Sequence, residues 1–192
     1  MLGNLEYALE ECFKKRFFNK NKFFLEKILL LKNEDFALDL GGGTGILAEL
    51  LAKYCKKFYV LDPDQKKIRF GSMRYKNVEF VLGNTEENRF PDNFFDKVLV
   101  NLSFHHIENQ DASLREITRI LKPSGLLVIH EIDPNSYTGK FVNWFENKLK
   151  KWGCNFYLPL KLKEKVEGYD FRVVKTFAAP QGYWIAARNT KK

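Results

Sequence analysis

Long apolar runs are missing from this 192-residue sequence, and the longest, such as Ile28 to Leu31, fall far short of the roughly 20 residues that a membrane-spanning helix needs. No membrane insertion is therefore expected. Cysteine is scarce: Cys12, Cys55 and Cys154 are odd in number, far apart, and form no CxxC pair. That excludes a disulfide framework and a cysteine-spaced zinc site, leaves no metal site expected, and favours a reducing, cytoplasmic setting. Near the start, Glu6, Glu10 and Glu11 interrupt the apolar residues and no small-residue cleavage site follows, so no signal peptide is expected. Internal repeats, low-complexity segments and linkers rich in Gly, Ser or Pro are lacking as well. The expectation is one domain over residues 1–192, with a helical cap at 1–35, a ligand-binding core at 36–135, and lid helices and closing strands at 136–192.

What is present is a basic surplus, and it is local. The formal charge of +8 resolves into +1 for residues 1–36, −1 for 37–135 and +8 for 136–192. A lysine-rich solvated surface accounts for this, and so does attraction to an anionic partner such as RNA.

The stretch Phe36 to Lys56 organises the rest. A short apolar run with Asp39 near its end breaks into Gly41, Gly42, Gly43 and Gly45, then restarts at helical spacing with Ile46, Leu47, Leu50, Leu51 and Tyr54 on one face. Strand, tight turn and helix is the reading. Glycines allow positive φ and close approach of a ligand to the backbone, so a nucleotide-type ligand is expected at this turn.

Further strands are predicted at Phe58 to Leu61, Val78 to Leu82, Asp96 to Val100 and Leu126 to Ile132, with helices near 66–73 and around Leu114 to Leu121. Strands alternating with helices imply a parallel sheet, whose ligands bind at the C-terminal strand ends. Asp39, Asp62, Asn84 and Asn101 all fall at such ends. Asp62 lies 21 residues after Gly41, where a carboxylate can meet ribose hydroxyls. In the last third, Phe141, Trp144, Phe145, Leu149 and Trp152 form an aromatic stripe, a short helix follows near Leu160 to Val166, and Phe171 to Phe177 with Gly182 to Ala187 read as an antiparallel pair. The stripe reads either as a cover over the cleft or as a core helix with lysines outside. In the first third, Leu5, Ala8, Leu9, Cys12 and Phe13 repeat at helical spacing; Tyr7, Phe13 or Phe17 would touch substrate if this helix were a flap, although packing alone explains the stripe.

Five blocks in order, LDLGGGTG (38–45), LDPD (61–64), GNTEENRFPDNFFDKV (83–98), NLSFHHI (101–107) and LREITRILKPSGLLVI (114–129), resemble class I S-adenosylmethionine-dependent methyltransferases of the ubiquinone/menaquinone-biosynthesis type. The resemblance implies a doubly wound, mostly parallel seven-stranded sheet with one antiparallel edge strand, and S-adenosylmethionine as cofactor, released as S-adenosylhomocysteine. By matching position, Asp39 and the backbone of Gly41, Gly42 and Gly43 would hold the methionine end, Asp62 the ribose, Pro63 the adenine face, and Asn84 with Thr85 the adenine edge. Asn101 and Leu102 would border the sulfonium. The family usually carries Asp at the position of Asn84, so here an amide oxygen would face the adenine amino group. A nicotinamide dinucleotide is the rival ligand, because Gly43 to Ala48 fits G-x-G-x-x-A; that match begins two residues late in the turn and leaves Asp39 without a role.

Methyl transfer is an in-line displacement, so the protein must align donor and acceptor and exclude water. His105 and His106 are the histidines near the reacting edge, with His106 the stronger candidate for a base or orienting group and a structural role the alternative; His130 is expected to be packed in the core. No Asn/Asp-Pro-Pro-aromatic motif follows the fourth strand, which argues against amino-group methylation of DNA or protein. A small-molecule acceptor is the leading expectation. The alternatives are a tRNA or rRNA substrate met by the basic last third, since wobble-uridine tRNA methyltransferases share the His-His pair, and a cofactor-binding protein without catalysis.

Overall fold

Strand and helix periodicities alternate along the chain, and the computed structural model turns them into a seven-stranded sheet with helices on both faces. It describes residues 7, 11, 12, 15, 16, 25, 27–149, 151, 153–179 and 182–192. The strands are β1 (Phe36–Leu40), β2 (Lys57–Asp62), β3 (Val78–Leu82), β4 (Phe95–Asn101), β5 (Leu121–Glu131), β6 (Phe171–Ala179) and β7 (Gly182–Asn189). The helices are α1 (Ile46–Ala52), α2 (Gln65–Arg74), α3 (Gln110–Ile120), α4 (Tyr137–Trp144) and α5 (Pro159–Glu167), with a 3-10 turn at Phe104–His106 and a π-turn at Phe145–Leu149.

The sheet order is β3-β2-β1-β4-β5-β7-β6. β1 pairs in parallel with β2 and β4, β2 with β3, and β4 with β5, whereas β7 runs antiparallel to both β5 and β6. The mostly parallel, doubly wound sheet is as expected, but the antiparallel strand lies one place in from the edge. Composition explains the swap. β7 (GYWIAARN) is buried along nearly its whole length, while β6 (FRVVKTFAA) alternates and exposes Lys175 and Thr176. The apolar strand takes the interior, and the edge goes to the strand whose lysine discourages further pairing.

Side chains alternate across β1 and so feed two cores. Leu38 and Leu40 join Val98, Val100, Leu127 and Ile129 beneath Leu114, Ile117 and Ile120 of α3 and Leu162 and Val166 of α5. Ala37 joins Val60, Leu99 and Val128 beneath Leu47, Ala48 and Leu51 of α1 and the buried Leu25, Ile28 and Leu29. Leu25 and Leu29 therefore belong to a packed layer. Of the expected flap residues, Tyr7 rests against Phe70 of α2 with ring centroids 5.4 Å apart; Phe13 and Phe17 lie outside the described residues.

Two local features decide where elements stop. Asp64 caps α2 by accepting from the amides of Lys66 and Lys67, so in LDPD the second Asp builds the helix and the first is left for the ligand edge. α3 ends at Ile120 because Leu121 is already extended and pairs with Phe95; Pro123 follows and cannot continue a helix. β5 consequently begins five residues earlier than the apolar run implied, with an irregularity in its pairing to β4 between Phe95 and Lys97.

Candidate active site

The glycine turn leaves β1 with Gly41, Gly43 and Gly45 at φ +74°, +62° and +77°. Three of its glycines also leave no room for a side chain, and at Gly45 a Cβ would sit 2.5 Å from Phe80 Cζ. A Cβ on Gly42 would sit 2.7 Å from Asp39 Oδ2, and one on Gly41 would sit 2.7 Å from Ser103 Cβ. The turn is thus pressed between the carboxylate that precedes it and the segment after β4, a cradle in which side chains have no room. Asp39 is 2% exposed and Asp62 6%. They end adjacent strands, with Asp39 in register with Val60 and Asp62 two residues further along β2.

Asp62 does more than face the cleft. Its Oδ2 accepts from Gly43 N at 2.8 Å and its Oδ1 from Asp64 N at 2.9 Å. The carboxylate therefore clamps the glycine turn to the end of β2, and each oxygen retains a further lone pair for a ligand hydroxyl. Gly83 N donates to Asp62 O at 3.2 Å, which draws the end of β3 alongside. Beyond it Asn84 is exposed and Thr85 buried, with Thr85 Oγ1 donating to Glu86 Oε2 at 3.0 Å. Pro63 is exposed at the rim.

On the opposite flank, Asn101 ends β4 and its Oδ1 lies 3.0 Å from His130 Nδ1. Leu102 takes a left-handed φ of +52°, with its amide donating to His130 O at 2.9 Å. The reversal delivers Ser103 to the glycine turn, where Ser103 Oγ donates to Leu40 O at 2.9 Å. The 3-10 turn that follows is tied on several sides. Phe104 N donates to Glu131 Oε1 at 3.0 Å, Gln110 Nε2 donates to Phe104 O at 3.0 Å and to Asn155 O at 3.3 Å, and Asn155 N donates to His105 O at 2.9 Å.

The two histidines differ sharply in setting. His105 is 3% exposed, with Nδ1 at 2.7 Å from Glu131 Oε2, Nε2 at 3.6 Å from Glu146 Oε2, and its ring stacked on Phe156 at 4.5 Å. His106 is only partly exposed, its side chain 39% accessible, with Nδ1 at 3.1 Å from Cys154 Sγ. Burial, then neighbouring His105 and Lys67, hold the His106 imidazole down to about 4, so it is neutral at physiological pH. Burial and Glu146 push the Cys154 thiol up to about 12, so it stays protonated. His130 is fully buried in β5, stacked on Trp184 with centroids 4.0 Å apart. It is a core residue, as expected.

The sequence reading missed Glu131, Glu146 and Cys154. Glu131 had a signal, a carboxylate closing an otherwise apolar central strand. Glu146 had none, because its position depends on the π-turn after α4. Within the aromatic stripe Phe145 is half-buried, whereas Phe141 and Trp144 are 63% and 55% exposed, so the core-helix reading does not hold over α4. Their faces point away because Gly139 packs against the backbone of Asp133, where a Cβ would lie 1.9 Å from Asp133 O. Trp152 lies outside the described residues.

Comparison with known proteins agrees with this geometry. Residues 38–129 match the family described as a methyltransferase domain. The chain is 34% identical over 131 residues to demethylmenaquinone methyltransferase of Thermotoga maritima, covering 66% of this chain and 56% of that protein. It is 36% identical over 103 residues to ubiquinone/menaquinone biosynthesis C-methyltransferase UbiE of Hydrogenovibrio crunogenus, covering 49% of this chain and 41% of that one. The chain thus spans about half the length of the curated relatives it matches. Among solved structures, a methyltransferase of Haloferax volcanii in complex with the Trm112 methyltransferase activator superposes with a TM-score of 0.81 at 16% identity, covering 96% of this chain and 95% of that one. Over residues 38–129 the chain thus matches a methyltransferase domain and is similar to C-methyltransferases of ubiquinone and menaquinone biosynthesis.

Proposed function

We propose that this chain transfers a methyl group from S-adenosylmethionine to a small-molecule acceptor. The observation that carries the reading is the cradle: Asp39 and Asp62 end neighbouring strands on either side of a turn in which added Cβ atoms at Gly41 and Gly42 would collide with Ser103 and Asp39. A phosphate-binding turn has no need of the buried Asp39 carboxylate, whereas an amino-acid end with a free ammonium does. The residues fit the cofactor. Asp39 and the backbone of Gly41 to Gly43 would hold its methionine end, Asp62 its ribose, and Pro63, Asn84 and Thr85 its adenine, with Asn101 and Leu102 bordering the sulfonium. When bound, the cofactor supplies a methyl carbon activated by its sulfonium charge.

The chain's own residues then orient and exclude water. Ser103 pins the segment after β4 to the glycine turn, and the 3-10 turn presents His105 and His106 beside it. His106 on this turn, neutral at physiological pH, is the candidate to orient the acceptor. The match to quinone-pathway methyltransferases favours a small, largely apolar acceptor, as does the exposed aromatic face of α4. Among the described residues no helix is long and apolar enough to cross a membrane; with all three cysteines free, a reducing, cytoplasmic location accords with this reading.

The test has two stages. Calorimetry with S-adenosylhomocysteine should show saturable binding by the wild type, and its absence would refute the cofactor assignment. Tritiated methyl transfer into a cell extract, fractionated into small molecules, RNA and protein, should label the small-molecule fraction. Label in tRNA would move the acceptor to the basic last third, and no label in any fraction would leave a binding protein.

A further inference from the structure

His105, His106 and Glu146 bring three potential ligand atoms within 4.8 Å of one another, and we propose that they form a binding site for a divalent cation of the zinc class. Three features of the cluster point the same way.

The first is the gap. Glu146 Oε2 is buried with no hydrogen-bond partner among the described residues and lies 3.6 Å from His105 Nε2, while the Cys154 thiol stands against the same carboxylate. Glu146 Oε1 lies 4.0 Å from His106 Nε2. Those spacings are too long for hydrogen bonds and slightly wider than the roughly 3.4 Å that separates ligands around tetrahedral zinc. With the three ligand atoms within 4.8 Å of one another, closing the triangle on an ion requires the side chain of His106, 39% exposed, to turn inward.

The second is how the outer ring nitrogens are held. His105 Nδ1 meets Glu131 Oε2 at 2.7 Å, and Glu131 is itself fixed by the Phe104 amide. His106 Nδ1 meets Cys154 Sγ at 3.1 Å. With each Nδ1 as donor, both Nε2 lone pairs point into the same space. A carboxylate on the far nitrogen of a histidine is the usual support of a metal-bound imidazole.

The third is the scaffold under Glu146. It sits on the π-turn Phe145–Leu149, a local irregularity that helices keep mostly where it re-aims a functional side chain. Asn147 of the same turn locks the segment at Cys154 in place, donating through Nδ2 to Cys154 O at 2.9 Å and accepting from Cys154 N at 2.6 Å. Charge is compatible as well. Glu131 and Glu146 face the site against Lys67, and their carboxylates outnumber its ammonium.

Nitrogen and oxygen donors with a thiol alongside suit zinc and its borderline neighbours better than magnesium or calcium. Three protein ligands leave a coordination position open to solvent on the His106 side, where an oxygen or sulfur donor of the methyl acceptor can bind. The acceptor role rests on the methyltransferase reading; the cation site itself does not.

The experiment titrates chelator-treated protein in a Cys12→Ser, Cys55→Ser background with Co²⁺, read by visible absorption, and with Zn²⁺, read by calorimetry. The expected result is one ion per chain with the intense absorption of low-coordinate cobalt. Affinity should fall at least tenfold in Glu146→Gln and in His106→Ala, and to a lesser degree in Glu131→Gln. S-adenosylhomocysteine binding, measured on the same samples, should persist in Glu146→Gln and His106→Ala, which shows that they are folded. Absence of saturable metal binding, or binding unchanged in both ligand variants, would overturn the site. Metal binding without S-adenosylhomocysteine binding would keep the site and remove the cofactor assignment instead.

Discussion

The Asp62 carboxylate accepts a hydrogen bond from the Gly43 amide across 19 residues of chain, at 2.8 Å and in a buried setting. It joins the end of β2 to the glycine turn, while its other oxygen holds the Asp64 amide that opens α2. One side chain thus shapes the cradle before any ligand arrives. Asp62→Ala should therefore cost stability as well as affinity. Two buried or half-buried amides lose their acceptor, which costs about 1–3 kcal/mol in denaturant unfolding, and S-adenosylhomocysteine binding should weaken at least tenfold by calorimetry. Unchanged stability would mean that water replaces the carboxylate at the turn.

Gly71 lies inside α2, where replacing glycine by alanine ordinarily stabilises a helix by up to about 1 kcal/mol. Here the sign should reverse. A Cβ at Gly71 would stand 2.3 Å from the Thr44 carbonyl and 2.5 Å from Phe80, so α2 would be pushed off the turn. Gly71→Ala should lose about 1–3 kcal/mol in thermal or denaturant unfolding, and a stabilised variant would show that the helix shifts freely.

His130 supplies a pH signature. Burial alone holds its imidazole down to about 3, against an ordinary value of 6.5. Between those values the unfolded chain binds a proton that the folded chain refuses, so stability is present above pH 6.5 and is lost progressively as the pH falls toward 3. Replacement by Asn, which cannot titrate, should flatten that slope. Thermal unfolding of wild type and His130→Asn from pH 7 to pH 4 reads it; parallel curves would assign the acid sensitivity to the carboxylates.

Phe141 and Trp144 are exposed aromatics whose rings lie 6.3 Å apart on α4. Changing both to Ser should leave stability within about 0.5 kcal/mol per site, because little buried area is lost. If α4 covers the cleft when acceptor binds, the same variant should raise the KM for acceptor with S-adenosylhomocysteine affinity intact. An unchanged KM would separate this face from acceptor binding.

The core was legible because its cues are local. Phe36 to Leu40 is a short apolar run of strand length, and the glycines behind it mark a turn that only residues tolerant of positive φ can make. Val78 to Leu82 is a strand with the same bounds in sequence and structure. Counting alone places Asp39, Asp62, Asn84 and Asn101 at strand ends; the sheet brings the ends that carry Asp39, Asp62 and Asn101 together, and Asn84 lies two residues beyond β3. The resemblance puts the antiparallel strand at the edge; its observed place depends on which of the two hairpin strands buries more apolar surface against β5, a comparison that neither strand makes by itself.

Sequence by itself determined the donor side: a strand, a glycine turn and a carboxylate at the next strand end are each short-range patterns, and the five blocks spanning 38–129 carry the resemblance to methyltransferases. Tertiary structure alone decided what surrounds the His105–His106 pair. Glu131 arrives from β5, Glu146 from a π-turn 15 residues later, and Cys154 from the segment clamped by Asn147. No spacing rule connects those positions, because their meeting depends on how β5, the turn after α4 and the 153–157 segment converge at one end of the sheet. The pair that the sequence offered as a base is, in the folded chain, part of a cluster of histidine, carboxylate and thiol groups built by long-range packing.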